Sequence, residues 1–175
     1  MSNQIFKLLV GISLCSALPL TLDFTNRAWA DVRFPVAEVG SSLAGKISVP
    51  LFLPESLPLD RDIYFTAKVT PTGYNIEMSA TPDCRGVTAC FIGSLVAERD
   101  GKRSEPTSGP RQEYQALTLT GGVEGAFSKG CGAYCTALVE WEYQGVLYRV
   151  FMKNGNLETL QEIANRAIAA GPRSF

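Results

Sequence analysis

Four of the five cysteines fall in two close pairs, Cys84 and Cys90 with five residues between them and Cys131 and Cys135 with three. Thiols this close can exchange electrons, hold a metal or close a loop. Redox enzymes of the thioredoxin kind place two residues between their cysteines at a helix N-terminus. Here the spacings are three and five, beside strand patterns. Four thiolates could also make a tetrahedral zinc site, but the oxidising compartment read below for this chain favours bridges. Four cysteines permit three connectivities. The expected one is local, 84–90 and 131–135, ahead of cross-strand pairing. Gly86 and Gly132 would relieve the backbone inside each loop, and each bridge would add about 2–3 kcal/mol of stability.

The remaining chemical candidates are weaker. Glu140 and Glu142 share one face of a strand and could form the carboxylate pair of a glycosidase. Both should face solvent, whereas a catalytic acid needs an apolar pocket to raise its pKa. A charged outer face, with Glu140 opposite Arg149, is the simpler reading. The segment 99–111 carries Arg99, Lys102, Arg103 and Arg111 against Asp100 and Glu105, and could present a basic tip to an acidic surface. Tyr64, Tyr74, Tyr114, Tyr134, Trp141, Tyr143 and Tyr148 could line a sugar or peptide groove, although core packing is the commoner use of such rings. No histidine is present, so Ser-His-Asp, Cys-His and HExxH chemistry are closed to this chain alone. No residue pattern calls for a metal or cofactor. The 16 basic and 17 acidic residues nearly cancel, so no field steers the chain onto nucleic acid.

Residues 1–30 read as a secretory signal. Lys7 precedes an apolar run from Leu8 to Leu22, and Ala28-Trp29-Ala30 supplies the small residues that a signal peptidase accepts. Cleavage is expected between Ala30 and Asp31. The interrupted run is too short for a bilayer core, which needs about 20 residues, so no membrane segment should remain after cleavage. Cys15 leaves with the signal, and an even number of cysteines stays behind.

The elements that must position these residues follow from pattern. Residues 31–46 mix Gly, Ser and Ala with scattered apolar side chains and read as a weakly ordered lead-in. Residues 47–58 carry Pro50, Pro54 and Pro58, so this stretch is a strap over the core and no central strand. Ile63, Phe65, Ala67 and Val69 alternate, a turn falls at Thr70-Pro71-Thr72-Gly73 with Gly73 left-handed, and Tyr74, Ile76, Met78 and Ala80 return. That hairpin should have one wet face. Phe91–Glu98 is a further strand, and Gly121-Gly122 marks a two-residue hairpin between two more. A Gln144-Gly145 turn sets Tyr143 opposite Val146, Trp141 opposite Tyr148, Glu140 opposite Arg149 and Val139 opposite Val150. A one-residue slip would bring Arg149 to the core face. Asn156 caps a helix whose stripe is Leu157, Leu160, Ile163, Ala164, Ala167 and Ile168. Gly171-Pro172 ends it, and 171–175 is a tail. The expected fold is α+β, an antiparallel sheet of about six or seven strands with one C-terminal helix packed on one face.

Leu53-Pro54, Leu57-Pro58, the two cysteine pairs and Trp141-Glu142…Gly145…Tyr148 leading into the Leu160…Ile168 helix resemble, as a set, small exported proteins of cyanobacteria, a family of uncharacterised function. The resemblance spans residues 47–170, implies export and bridged cysteines, and brings no catalytic residue. The function expected is a non-enzymatic binding module of the periplasm or cell envelope, facing an envelope protein or a small ligand. A hydrolase using Glu140 and Glu142, or a secreted inhibitor presenting loop 84–90, are the alternatives.

Overall fold

The computed structural model describes residues 31–175 apart from 107, 108 and 110; the expected signal segment, with Ala30, lies outside the described residues. Seven strands form one antiparallel sheet: β3 (Tyr64–Thr70), β4 (Gly73–Ser79), β5 (Phe91–Arg99), β6 (Gln112–Leu119), β7 (Val123–Cys131), β8 (Cys135–Tyr143) and β9 (Val146–Lys153). Their spatial order is β3-β4-β5-β9-β8-β7-β6. The fold is α+β, with the helix α2 (Leu157–Ala170) packed on this sheet.

Alternation decides which face is covered. Tyr74, Ile76, Leu95, Ala97, Val139, Trp141, Tyr148 and Val150 fall on one side and are buried. α2 supplies Leu160, Ile163, Ala164 and Ala167 to that layer. It begins where the Asn156 side chain accepts from Thr159 N (2.9 Å), and it ends at the left-handed Gly171. The β8–β9 register has Tyr143 opposite Val146, Trp141 opposite Tyr148, Glu140 opposite Arg149 and Val139 opposite Val150. Gln144 and Gly145 both take positive φ (51° and 72°), the two-residue turn that suits a right-twisted hairpin.

The strap lies over the same face. Leu51, Phe52 and Leu53 are buried, and the Phe52 ring stands edge-on to Trp141, Tyr143 and Tyr148 at 6.3, 5.1 and 4.8 Å. Tyrosine hydroxyls meet strap backbone groups that no sheet ladder serves. Tyr148 OH donates to the Pro50 carbonyl (3.0 Å), and Phe52 N donates to Tyr74 OH (3.3 Å).

Several elements differ from expectation. Residues 31–46 are ordered: β1 (Val32–Arg33) pairs with β2 (Ser56–Leu57) of the strap, and α1 (Val36–Leu43) buries Val39, Gly40 and Leu43. Pro35 at the helix start and the Val36/Val39/Leu43 spacing carry this helix, while Gly40 and the two serines hid it. The Phe175 ring lies over Gly40, where a Cβ would have to displace it. Of the last residues, Arg173 is tied down by backbone bonds in both directions with Leu51, while Pro172, Ser174 and Phe175 are exposed. Gly73 is not left-handed; it lets the backbone of β4 approach Ala97 O. The turn at Gly121-Gly122 spans three residues, with Leu119 opposite Val123. Asp31, at the expected cleavage point, bonds through its carboxylate to Arg166 (2.7 Å) and Ser56 (3.0 Å), and the Arg166 bond holds that carboxyl below its usual range.

The largest difference concerns 99–111. β5 and β6 are four antiparallel steps apart, so they point the same way. Their connection, residues 100–111, must return the full length of the sheet, as every parallel pair requires. Within this crossover Lys102 and Ser104 lie over the face opposite α2, where Lys102 O accepts from Arg149 and Ser104 N donates to Glu140.

Candidate functional site

Both cysteine pairs bond locally, Cys84 to Cys90 and Cys131 to Cys135. They sit at the same end of the sheet, where β9 finishes. On β7 and β8, Cys131 lies directly opposite Cys135, Cα atoms 3.9 Å apart, so the bridge spans the hairpin and fixes Gly132-Ala133-Tyr134 at its tip. In the β4–β5 connection, Arg85 and Gly86 take left-handed φ (47° and 75°), and Val87 N donates back to Cys84 O (2.9 Å). Val87 O then accepts from Cys90 N (3.2 Å) and Phe91 N (3.1 Å). The loop is a closed knuckle, unlike the extended segment that an enzyme cleft takes in a substrate-like way.

Two side chains tie these loops to the sheet. Glu77 of β4, 9% exposed, accepts from Gly86 N (3.2 Å) and pairs with Lys68 Nζ (3.3 Å). Lys153, at the end of β9, donates from Nζ to Thr88 O (2.7 Å) in the first loop and stands 5.4 Å from the Tyr134 ring centre of the second. One ammonium therefore couples two loops that are far apart in sequence. At the tips Val87 is 59% exposed and Tyr134 is 44% exposed. A cleft of about 510 Å³ opens beside them, with Asp60, Arg61, Phe91, Met152 and Asn156 in its walls. The end as a whole offers two exposed side chains on restrained loops near a cleft whose walls mix polar and apolar residues. Such an arrangement can bind, since little loop entropy remains to be lost.

The carboxylate candidates are separated by the crossover. Glu142 is exposed, 4.0 Å from Arg103. Glu140 does not face solvent as expected; it is 1% exposed, beneath the crossover. Its Oε1 accepts from Ser104 N (2.7 Å), and its Oε2 from Ser104 Oγ (3.3 Å) and Arg149 Nε (3.4 Å). Arg149 also pairs with Glu98 (2.8 Å) and donates to Lys102 O (2.6 Å). Both Glu140 oxygens are engaged in holding a loop down. A carboxyl so occupied is a clasp, ill suited to passing protons.

The four basic residues of 99–111 do not form one tip. Arg99 closes β5 and donates to Ser48 O of the strap (2.7 Å), and Arg103 donates to Glu124 O (3.1 Å). Lys102 is exposed beside them. Arg111 lies at the opposite end, where Cys131 N donates to its carbonyl (3.1 Å). Lys153 and Glu77 escaped the sequence reading because each looks like an ordinary charge on an outward strand position. Lys153 has one sequence signal, its place opposite Thr136 beside Cys135 in the counted register, and Glu77 has none. Among the described residues no helix is long and apolar enough to cross a membrane. Comparison with protein-family models, curated proteins and solved structures finds no match.

Proposed function

We propose that this chain is an exported, non-enzymatic binding module that meets a protein partner through the two stapled loops. The observation that carries this reading is the coupling of both disulfide loops by Lys153, with Val87 and Tyr134 held out at their tips. Exposed apolar side chains on restrained backbone are what an interface core uses. Two disulfides are consistent with an oxidising, exported setting. The signal expected from the sequence and the resemblance to exported cyanobacterial proteins support a periplasmic or extracellular setting.

The test is photocrosslinking in the intact envelope, with the reactive side chain at Val87, at Tyr134, or at the exposed Glu38 of α1 as control. One discrete adduct, shared by positions 87 and 134 and weakened by Lys153→Met, is expected. Equal labelling from position 38, or no adduct from either loop, would overturn the reading.

A further inference from the structure

The sheet has two outer strands, β3 and β6, and the chain treats them differently. An outer strand presents a row of unmet N–H and C=O groups, which proteins guard with Lys, Pro, bulges or a covering helix. β3 is guarded. Lys68 stands in its middle, Pro71 follows it, and α1 packs against it, with Phe34 edge-on to Phe65 at 4.7 Å. β6 has no Lys, Pro or bulge, and although α2 touches it, the helix side chain that meets the backbone does so only past its end, where Thr120 N donates to Asn165 Oδ1 (2.8 Å). Its eight residues include no Lys, Arg or Pro, and it pairs with β7 without a break from Gln112 opposite Gly130 to Leu119 opposite Val123. Gln115, Ala116 and Thr118 are exposed, and among the described residues no strand pairs with its outer side.

The ladder with β7 shows which backbone groups are unmet. Cys131 N donates to Arg111 O, so Arg111 and the alternate odd positions 113, 115, 117 and 119 bond inward to β7. Tyr114, Ala116 and Thr118 then turn their N–H and C=O outward. Gln112, of the same parity, agrees: its N–H donates to Gly109 O and not to β7.

We propose that this protein dimerises through β6, edge to edge and antiparallel, about a two-fold axis at Ala116. A continuous sheet with the same face up in both copies must match residues of equal parity. Centring on Ala116 sets Ala116 against the partner's Ala116 and Tyr114 against the partner's Thr118. All three outward-facing positions are then bonded. The same register sets Gln115 against the partner's Leu117 and Glu113 against the partner's Leu119, so no like charges meet. Centring on Tyr114 or Thr118 would leave outward groups unmet. Ala116 is small and exposed, and nothing on its side chain obstructs the axis. A second copy is the occupant because the edge is its own complement: each outward donor meets an outward acceptor of the same strand.

Sedimentation equilibrium on the disulfide-bonded protein tests this. The expected result is a dimer that becomes a monomer in Ala116→Lys, which sets two ammonium groups against each other on the axis. Ala116→Pro should do the same, since it deletes an N–H that β7 does not use. Circular dichroism and melting must match the parent in both variants for the loss to count. Thr66→Lys, an exposed outer-face change on β3, should leave the dimer intact. A monomer at every soluble concentration, a dimer that survives both changes at Ala116, or a dimer lost through Thr66→Lys would each overturn the proposal.

Discussion

At Glu140, a charge that pattern assigns to solvent is buried because another part of the chain comes to it. Ser104 N–H, Ser104 hydroxyl and the Arg149 guanidinium all close on one carboxylate. Glu77 does the same for the Gly86 N–H of the first stapled loop. Alternation placed both residues on the outer face correctly, yet burial there depends on loops whose paths no strand pattern records. Removing one partner from a buried charge pair leaves the other uncompensated. Glu140→Ala should therefore lower the unfolding free energy by about 3 kcal/mol, and Glu140→Gln, which keeps an acceptor for Ser104 N, by about 1 kcal/mol. Glu142→Gln should stay within about 0.5 kcal/mol, as surface changes usually do. Denaturant midpoints check all three. A stable Glu140→Ala protein would remove the clasp from the account. Tyr74 and Tyr148 make a second residue-scale case: burial pushes both hydroxyls well above their ordinary value of 10.0. With raised folded pKa values, their contribution to stability is complete below pH 10 and fades as pH rises beyond it. Their phenolate absorbance should appear only together with loss of the far-ultraviolet strand signal. Phenolates forming in a still-folded protein would contradict their burial.

At the scale of elements, hairpins and α2 were legible and connections were not. The β8–β9 register could be counted outward from Gln144-Gly145 because only one register keeps Arg149 off the core face. Both cysteine pairs bond locally as expected, although spacing alone does not choose local over cross-strand pairing. Helix α1 was obscured by Gly40, a poor helix former that here faces the Phe175 ring. The crossover 100–111 was hidden for a different reason: it follows from β5 and β6 running parallel, a property of strand order that local periodicity does not contain. The disulfides act on loops already joined to the sheet by Glu77, Lys153 and the β7–β8 ladder. Removing either bridge, as Cys84→Ala with Cys90→Ala or Cys131→Ala with Cys135→Ala, should cost about 2 kcal/mol, the loop-entropy value for such short rings. Both variants should keep the sheet, read by circular dichroism and thermal melting. Cooperative unfolding on loss of either bridge alone would show that the stapled end carries the fold itself.

The whole molecule divides its sheet between two duties. One face is sealed by α1, the strap and α2, and the aromatic nest of Phe52, Trp141, Tyr143 and Tyr148 locks the strap down. The other face carries the crossover, the clasps and the stapled end. The α+β class was readable because sealed and open faces differ in composition. The assembly of the stapled end was not, because Lys153 and Tyr134 meet Thr88 only in three dimensions. Strand order has one more consequence. β3-β4-β5 and β6-β7-β8 are each continuous in sequence, while β9, the last strand in the chain, lies between them at the centre. Until β9 arrives, the protein consists of two small meanders, each with an inner edge exposed. A chain made N-terminus first would have to hold those halves apart and unpaired almost to its end, so closure of the sheet is a late event in its folding and the interval before it is when the chain is most open to aggregation.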